Sequence, residues 1–223
     1  MIYITGDTHG LVDFGRLVTY FSTRHVSRDD ILIILGDAGI VWNEETPYAP
    51  YYEELGLTIY YIDGNHENFF LLNKLPIVER NGARMHRVSE HIFHILRGEV
   101  LHLGGYSFLC LGGATSIDKA YRIEGISYWR EENISYEDME NVFNNLEKEG
   151  DHFDFVLTHC APTSVIRHMF QYEGDGDTKI LETLAMRISY NDWLFGHYHQ
   201  DKASGAFRCF YFDVMELEER KVF

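Results

Sequence analysis

The chain has 223 residues, 45% of them hydrophobic, the proportion of an ordinary globular protein with room for a large core. Its formal charge of -16 argues against general binding to nucleic-acid backbones, whose partners present clustered Lys and Arg, and leaves open a small phosphate ester held through bound cations. Three Cys, at positions 110, 160 and 209, make neither a disulfide framework nor a C-x-x-C metal site.

Met1–Thr5 is a near-continuous apolar run, predicting a strand covered on both faces; Asp7 arrives before a signal-peptide core can form. Leu11, Phe14, Leu17, Val18 and Phe21 recur at helical spacing, predicting a helix over 11–21. Covered strands are expected again at Ile31–Leu35 and Thr58–Ile62. The stretch HIFHILRGEVLHLGGYSFLCLGG reads as a β-meander with a turn at Gly104-Gly105. His86, His91, His94 and His102 follow no ligand pattern and are expected at the surface or a sheet edge. Ser116 to Glu137 is polar and reads as a long functional loop. Ser135 is placed to cap a helix through Met139, Val142, Phe143 and Leu146 to Gly150. Strands follow at Phe153–Thr158 and Trp193–Phe195, with Asp177 as the expected N-cap of a helix through Ile180 and Leu184. Ala206–Leu217, rich in aromatic and β-branched residues, reads as a closing meander. Helix-linked strands together with hairpins predict a mixed α/β protein with more than one sheet. No run reaches the roughly 18 apolar residues of a membrane span, and no linker or repeat divides the chain. A single domain over 1–223 is therefore expected, in a cytoplasmic protein with reduced cysteines and no membrane contact.

The polar groups fall in one kind of place. Asp7 and His9 follow the first strand, Asp37 the second, Asn65 and His66 the third, His159 the fourth, and His197 and His199 the fifth. Ligands of open α/β sheets collect beyond that edge. Carboxylate, imidazole and amide together suit borderline divalent transition ions better than Ca²⁺. The Gly before Asp37, Asn65 and His197 lets the backbone turn sharply and approach an ion. Each block alone has a plain explanation as a turn, a core histidine or a chance H-x-H pair; five at successive strand ends do not. Cys160, beside His159, should point away from it in a strand-like backbone and is assigned to packing.

The ordered set Asp7-Thr8-His9, Gly36-Asp37, Gly64-Asn65-His66-Glu67, His159 and Gly196-His197-Tyr198-His199 resembles the calcineurin-like metallophosphoesterase superfamily, from residue 7 to residue 199. The resemblance implies a two-sheet mixed β-sandwich flanked by helices, a four-layer αββα fold. It implies a two-metal-dependent hydrolase of phosphoric esters, mono- or diester, in which metal-activated hydroxide attacks phosphorus. Asp7, His9 and His199 would hold one divalent ion and Asn65, His159 and His197 the other, with Asp37 bridging. The ions would be Mn, Fe, Zn or Ni. His66 would protonate the leaving group or bind the phosphoryl oxygen, alongside Asn65. Glu67 would support the site without being a ligand.

Departures bear on substrate. The protein phosphatase branch carries G-D-x-x-D-R-G and an Arg before G-N-H-E; here Asp37 is followed by Ala38-Gly39-Ile40-Val41-Trp42, and Asp63 precedes Gly64. That weighs against the alternative of a phosphoprotein substrate. Ala114 to Glu132 offers Lys119, Arg122 and Arg130 beside Tyr121, Tyr128 and Trp129, a set suited either to clamping phosphate and stacking a planar group or to a solvated loop that structural aromatics pin down. Arg122 is the candidate substrate contact. A nucleotide or small organic phosphoester is thus the expected partner; the alternative is a metal-binding scaffold without catalysis.

Overall fold

The structure, a computed structural model, describes residues 1–44 and 48–220. Two mixed sheets face each other, with helices on both outer faces. The first has seven strands. At its centre β1 (Ile2–Thr5), β2 (Ile31–Leu35), β3 (Thr58–Ile62) and, further along the chain, β6 (Ile92–Ile95) run parallel. A hairpin of β4 (Ile77–Arg80) and β5 (Ala83–Arg87) closes one edge, and β13 (Val214–Leu217) pairs antiparallel to β1 at the other. In the six-stranded second sheet, β8 (Tyr106–Leu111), β9 (His152–Thr158), β10 (Ser189–Phe195) and β12 (Phe207–Cys209) are parallel; β7 (Glu99–Leu103) and β11 (Lys202–Ser204) form antiparallel edges.

Strand alternation explains why the central runs are apolar throughout. Ile2, Ile4, Ile33 and Leu35 face Phe108, Phe155, Leu157 and Leu194 across the sandwich. Their neighbours Tyr3, Leu32 and Ile34 pack outward on Leu17 and Phe21 of helix α1 (Phe14–Phe21) and on Tyr52 of α2 (Ala49–Glu53). A short α3 (Phe69–Leu72) follows the third strand. On the far side Leu109, Val156, Trp193 and Phe195 meet Val142, Ile166, Leu181 and Leu184. These belong to α4 (Tyr136–Glu149), α5 (Thr163–Phe170) and α6 (Gly176–Ala185). Both faces of the central strands of each sheet are thereby covered. Cys110, Cys160 and Cys209 are buried and unbridged. Among the described residues no helix is long and apolar enough to cross a membrane.

Several expectations need correction. The first helix begins at Phe14, because residues 11–13 belong to a turn in which the Val12 and Asp13 N–H groups donate to the His9 and Thr8 carbonyls, both at 3.1 Å. The central meander is two separate pieces: β6 lies in the first sheet and the β7–β8 hairpin in the second. The chain crosses at Leu96–Gly98 so that Phe93 and Ile95 face Leu101 and Leu103 across the core. The tail also changes sheets, turning where the N–H groups of Tyr211, Phe212 and Asp213 all donate to the Asp201 carboxylate. Ser135 and Gly150 do bound α4, with a capping box to Asp138. At α6, however, Asp175 is the N-cap, paired with Thr178. Asp177 is buried instead, accepting from Thr115 Oγ1, Asn133 Nδ2 and the Ile134 N–H. A carboxylate with three donors there ties the long loop to the helix.

Candidate metal centre

The parallel registers align strand ends: Leu35 sits opposite Ile62, and Thr158 opposite Phe195. The loops that leave these ends are bonded to one another. Thr8 and His9 donate their N–H groups to the Asp37 carbonyl at 3.1 and 2.8 Å. The His66 N–H donates to Asp37 Oδ1 at 2.6 Å, the His197 N–H to Asp7 Oδ1 at 3.1 Å, and the Gly196 N–H to the His159 carbonyl at 3.0 Å. Five loops from two sheets thus form one cluster.

Ligand-capable atoms of Asp7, His9 and His199 lie within 4.8 Å of one another, as do those of Asp7, Asp37 and His159 and those of His9, Asp37 and His66. His199 Nε2 is 3.2 Å from Asp7 Oδ2; His9 Nε2 is 3.5 Å from Asp37 Oδ2. His159 Nε2 lies 3.3 Å from Asp37 Oδ1 and 3.2 Å from Asn65 Oδ1. The His197 ring stands 5.0 Å from that of His159, centroid to centroid. All seven residues singled out from the motifs therefore meet in one place, with Asp37 in the middle.

Local backbone is distorted to achieve this. Six non-glycine residues among those described have positive φ, and four of them are His9, Asp37, His197 and His199. Each such conformation costs about 1–3 kcal/mol, which the surrounding packing must offset. The glycines act through close approach as well as through turning. A Cβ at Gly64 would overlap Asp37 Oδ1, and one at Gly196 would overlap Asp7 Oδ1, so each motif leaves room for the carboxylate of another.

Electrostatics and hydrogen bonding test whether the cluster suits cations. Asp7 and Asp37 are buried, and among the described residues their ion-pair partners are imidazoles, with no Lys or Arg. Burial would lower the His159 pKa, but Asp37 and Asp7 outweigh it and push it up to about 10. His9 is likewise pushed up to about 9: burial opposes, while Asp37, Asp13 and Asp7 prevail. His197 goes the other way, to about 4, through burial and the proximity of His159. At His9 and His159 the buried carboxylates draw in positive charge, which is the demand a bound cation would meet. Moreover, His9 Nδ1 is held by Asp13 Oδ2 at 2.7 Å and His159 Nδ1 by the Leu35 carbonyl at 2.8 Å. Both rings keep Nε2 turned inward, the arrangement of metal-ligating histidines. The donor set fits divalent ions.

Glu67 is fully buried and accepts from the N–H groups of Ala38 and Gly39, gripping the loop that carries Asp37. Asp63 points away from the cluster. It is paired with Arg97, whose Nε is 2.9 Å from Oδ2, and with His94 Nε2 at 3.1 Å from Oδ1. His94 in turn contacts His86, Nδ1 to Nδ1, at 3.1 Å. His86 and His94 are thus buried, against the expectation for surface residues, because Asp63 supplies a partner that no sequence pattern announces. His91 is half-buried on Glu53, and His102 is exposed. Cys160 packs in the core, as expected.

Of the three basic residues in the 114–132 loop, Arg122 reaches the cluster. Its Nη2 lies 3.0 and 3.2 Å from the two ring nitrogens of His66, and its Nε pairs with Asp118 at 2.8 Å. Lys119 pairs with Glu132 and Arg130 with Glu124. The loop's aromatics do not form a stacking wall: Trp129 is buried against Trp42, while Tyr121 is 92% exposed. A cleft of about 620 Å³ opens over Asp37, Asn65, His66, His197 and His199, and its aromatic side comes from Tyr172 and Tyr198. Sequence reasoning passed over Asp13, because i, i+4 spacing brings side chains together within a helix and His9 precedes α1 with a left-handed φ. It passed over Arg97, Ser116 and Tyr172, for which no signal existed.

The sequence matches the family described as calcineurin-like phosphoesterase over residues 1–201. No curated protein matches it. Among solved structures, the chain is similar to the phosphopantetheinyl hydrolase from Mycobacterium tuberculosis at 13% identity and a TM-score of 0.49, covering 94% of this chain and 87% of that one. It is also similar to TT1561 of Thermus thermophilus, at 14% identity and a TM-score of 0.46, with coverage of 94% and 87%.

Proposed function

Because the chain belongs to the calcineurin-like phosphoesterase family, a family of metal-dependent phosphoester hydrolases, we propose that it hydrolyses a small phosphoester with two divalent cations. Asp7, His9 and His199 would hold one ion and Asn65, His159 and His197 the other, with Asp37 available to both. The observation that carries this reading is the pair of buried carboxylates, Asp7 and Asp37, whose ion-pair partners among the described residues are imidazoles, with no Lys or Arg within ion-pair distance. Carboxylate, amide and imidazole donors together suit Mn²⁺, Fe, Zn²⁺ or Ni²⁺. Two such ions lower the pKa of bound water and neutralise charge on a phosphoryl group. Because both sheets contribute to this one site, residues 1–223 act as a single domain.

The protein's own groups supply the rest. Arg122 gives the His66 side a permanent positive charge, so an ester oxygen arriving there meets a guanidinium and an imidazole together. Burial draws the His66 pKa below the ordinary histidine value, Asp37 opposes this, and Arg122, His9 and His159 add to it. A phosphoryl group bound against the ring brings negative charge that counters the neighbouring cations, allowing His66 to hold the proton it passes to the leaving oxygen. Tyr172 and Tyr198 offer a face to the organic part of the ester, a nucleotide base or another planar group.

The test is turnover of p-nitrophenyl phosphate and of its bis ester by metal-stripped protein reloaded with Mn²⁺. Activity on either ester, abolished by Asp37→Asn, supports the reading; the ratio of the two rates assigns mono- or diester preference. Tight binding of two ions with no turnover of these esters or of a nucleotide panel would instead identify a scaffold.

A further inference from the structure

An asparagine side chain can offer a cation its oxygen but not its nitrogen, and the two ends have the same shape. Something must therefore choose which end of Asn65 faces the site. In this structure Asn65 Nδ2 donates to Ser116 Oγ at 3.0 Å. Ser116 Oγ donates to Glu132 Oε2 at 2.9 Å, and the Ser116 N–H donates to Glu132 Oε1 at 3.1 Å. Lys119 Nζ sits 2.7 Å from Glu132 Oε1. Glu132 is fully buried and Ser116 only 3% exposed.

The direction of every bond in this chain follows from its far end. A carboxylate paired with Lys119 accepts only, so the single hydroxyl proton of Ser116 must point at Glu132. The hydroxyl is then left with lone pairs alone towards Asn65, and only the amide NH₂ can satisfy them. Asn65 Oδ1 is thereby turned inward, 3.2 Å from His159 Nε2. Flipping the amide would set its oxygen against the Ser116 lone pairs and its NH₂ against the cation site. We propose that Ser116 and Glu132 are positioning residues that orient the Asn65 amide, so that the 114–132 loop completes the second cation site. This rests on the two-cation reading above.

A loop that merely needed anchoring would not require this polarity, since the Ala114 N–H already donates to the Glu132 carbonyl at 3.0 Å. The test is calorimetric titration of metal-stripped protein with Mn²⁺. Wild type is expected to bind two ions. Ser116→Ala should weaken one of the two sites by about 10- to 100-fold, the range for groups that orient ligands, and leave the other unchanged. Ser116→Thr, which keeps the hydroxyl, should restore it. A double-mutant cycle separates orientation from structure: a carboxylate has no wrong end, so in an Asn65→Asp background Ser116→Ala should cost less than threefold. Two wild-type sites with Ser116→Ala unchanged, or an equal loss in both backgrounds, would overturn this assignment alone. Wild type binding fewer than two ions would overturn the two-cation reading and this assignment with it.

Discussion

Arg122 and His66 are neighbours across 56 residues of sequence, with Nη2 3.0 Å from the His66 Nε2 atom and 3.2 Å from Nδ1. The guanidinium is held from behind by Asp118 and the Ser127 carbonyl, so its position is set before any ester arrives. A charge-assisted hydrogen bond to phosphate contributes about 1.5–3 kcal/mol. Arg122→Ala is therefore expected to lower kcat/KM for a phosphoester by roughly 10- to 100-fold, without changing the number of ions bound. Steady-state kinetics beside metal analysis checks this, and an unaltered kcat/KM refutes a substrate role for Arg122.

His66 donates its backbone N–H to Asp37, and its ring, though within 4.8 Å of the Asp37 carboxylate and the His9 ring nitrogen, makes no ion pair with a carboxylate among the described residues. His66→Gln should keep both ions and lose about 10²- to 10⁴-fold in turnover, the usual contribution of a positioned acid. Across aryl phosphates of falling leaving-group pKa the deficit should shrink. A deficit that stays constant along the series would assign His66 to phosphoryl binding alone.

Gly64 and Gly196 each stand where a methyl group would overlap a carboxylate oxygen, of Asp37 and Asp7 respectively. Either Gly→Ala change should displace that carboxylate, abolish tight binding of at least one cation and destabilise the protein by about 1–3 kcal/mol through overpacking. Gly15 is the control, because a Cβ there meets nothing within 4 Å and the residue lies in α1. Gly15→Ala should be neutral or stabilising by up to about 1 kcal/mol. Metal content and thermal melts of the three variants decide the matter.

Asp63 sits buried between Arg97 and His94. Burial raises its pKa, yet Arg97 and then His94 outweigh it and hold the carboxyl well below the usual range. A carboxylate depressed in the folded state stabilises it above the unfolded pKa near ~3.9, and that contribution is lost as pH falls from there towards the folded value. Urea midpoints of metal-stripped wild type should thus fall more steeply below about pH 4 than those of Asp63→Asn. At neutral pH that variant should be less stable by about 3–5 kcal/mol, since it leaves Arg97 buried without its partner. Parallel pH profiles for the two proteins would contradict this.

The candidate site was unusually readable because its chemistry is carried by short blocks at strand ends. Asp7-Thr8-His9 or Gly64-Asn65-His66 needs only a strand before it and a turn within it, both of which are local. Helix α4 was readable for the same reason: Ser135 and Gly150 act within one turn of the ends they bound. What lay out of reach was pairing at a distance. That β6 and β7 belong to different sheets depends on which apolar face meets which, and the run HIFHILRGEVLHL is compatible with either arrangement. The burial of His86 and His94 hangs on Asp63, which is 31 residues from His94 in sequence.

The residues alone therefore determined the kinds of groups at the site, their order along the chain, and the β-rich framework that carries them, because propensity, periodicity and turn chemistry act over a few residues. Tertiary structure decided which way those groups face. Asn65 presents oxygen because of Ser116 and Glu132; His9 and His159 present Nε2 because of Asp13 and the Leu35 carbonyl; Arg122 meets His66 because the loop folds back. Orientation of an amide, an imidazole or a guanidinium is fixed by partners that only folding brings within 3 Å or so.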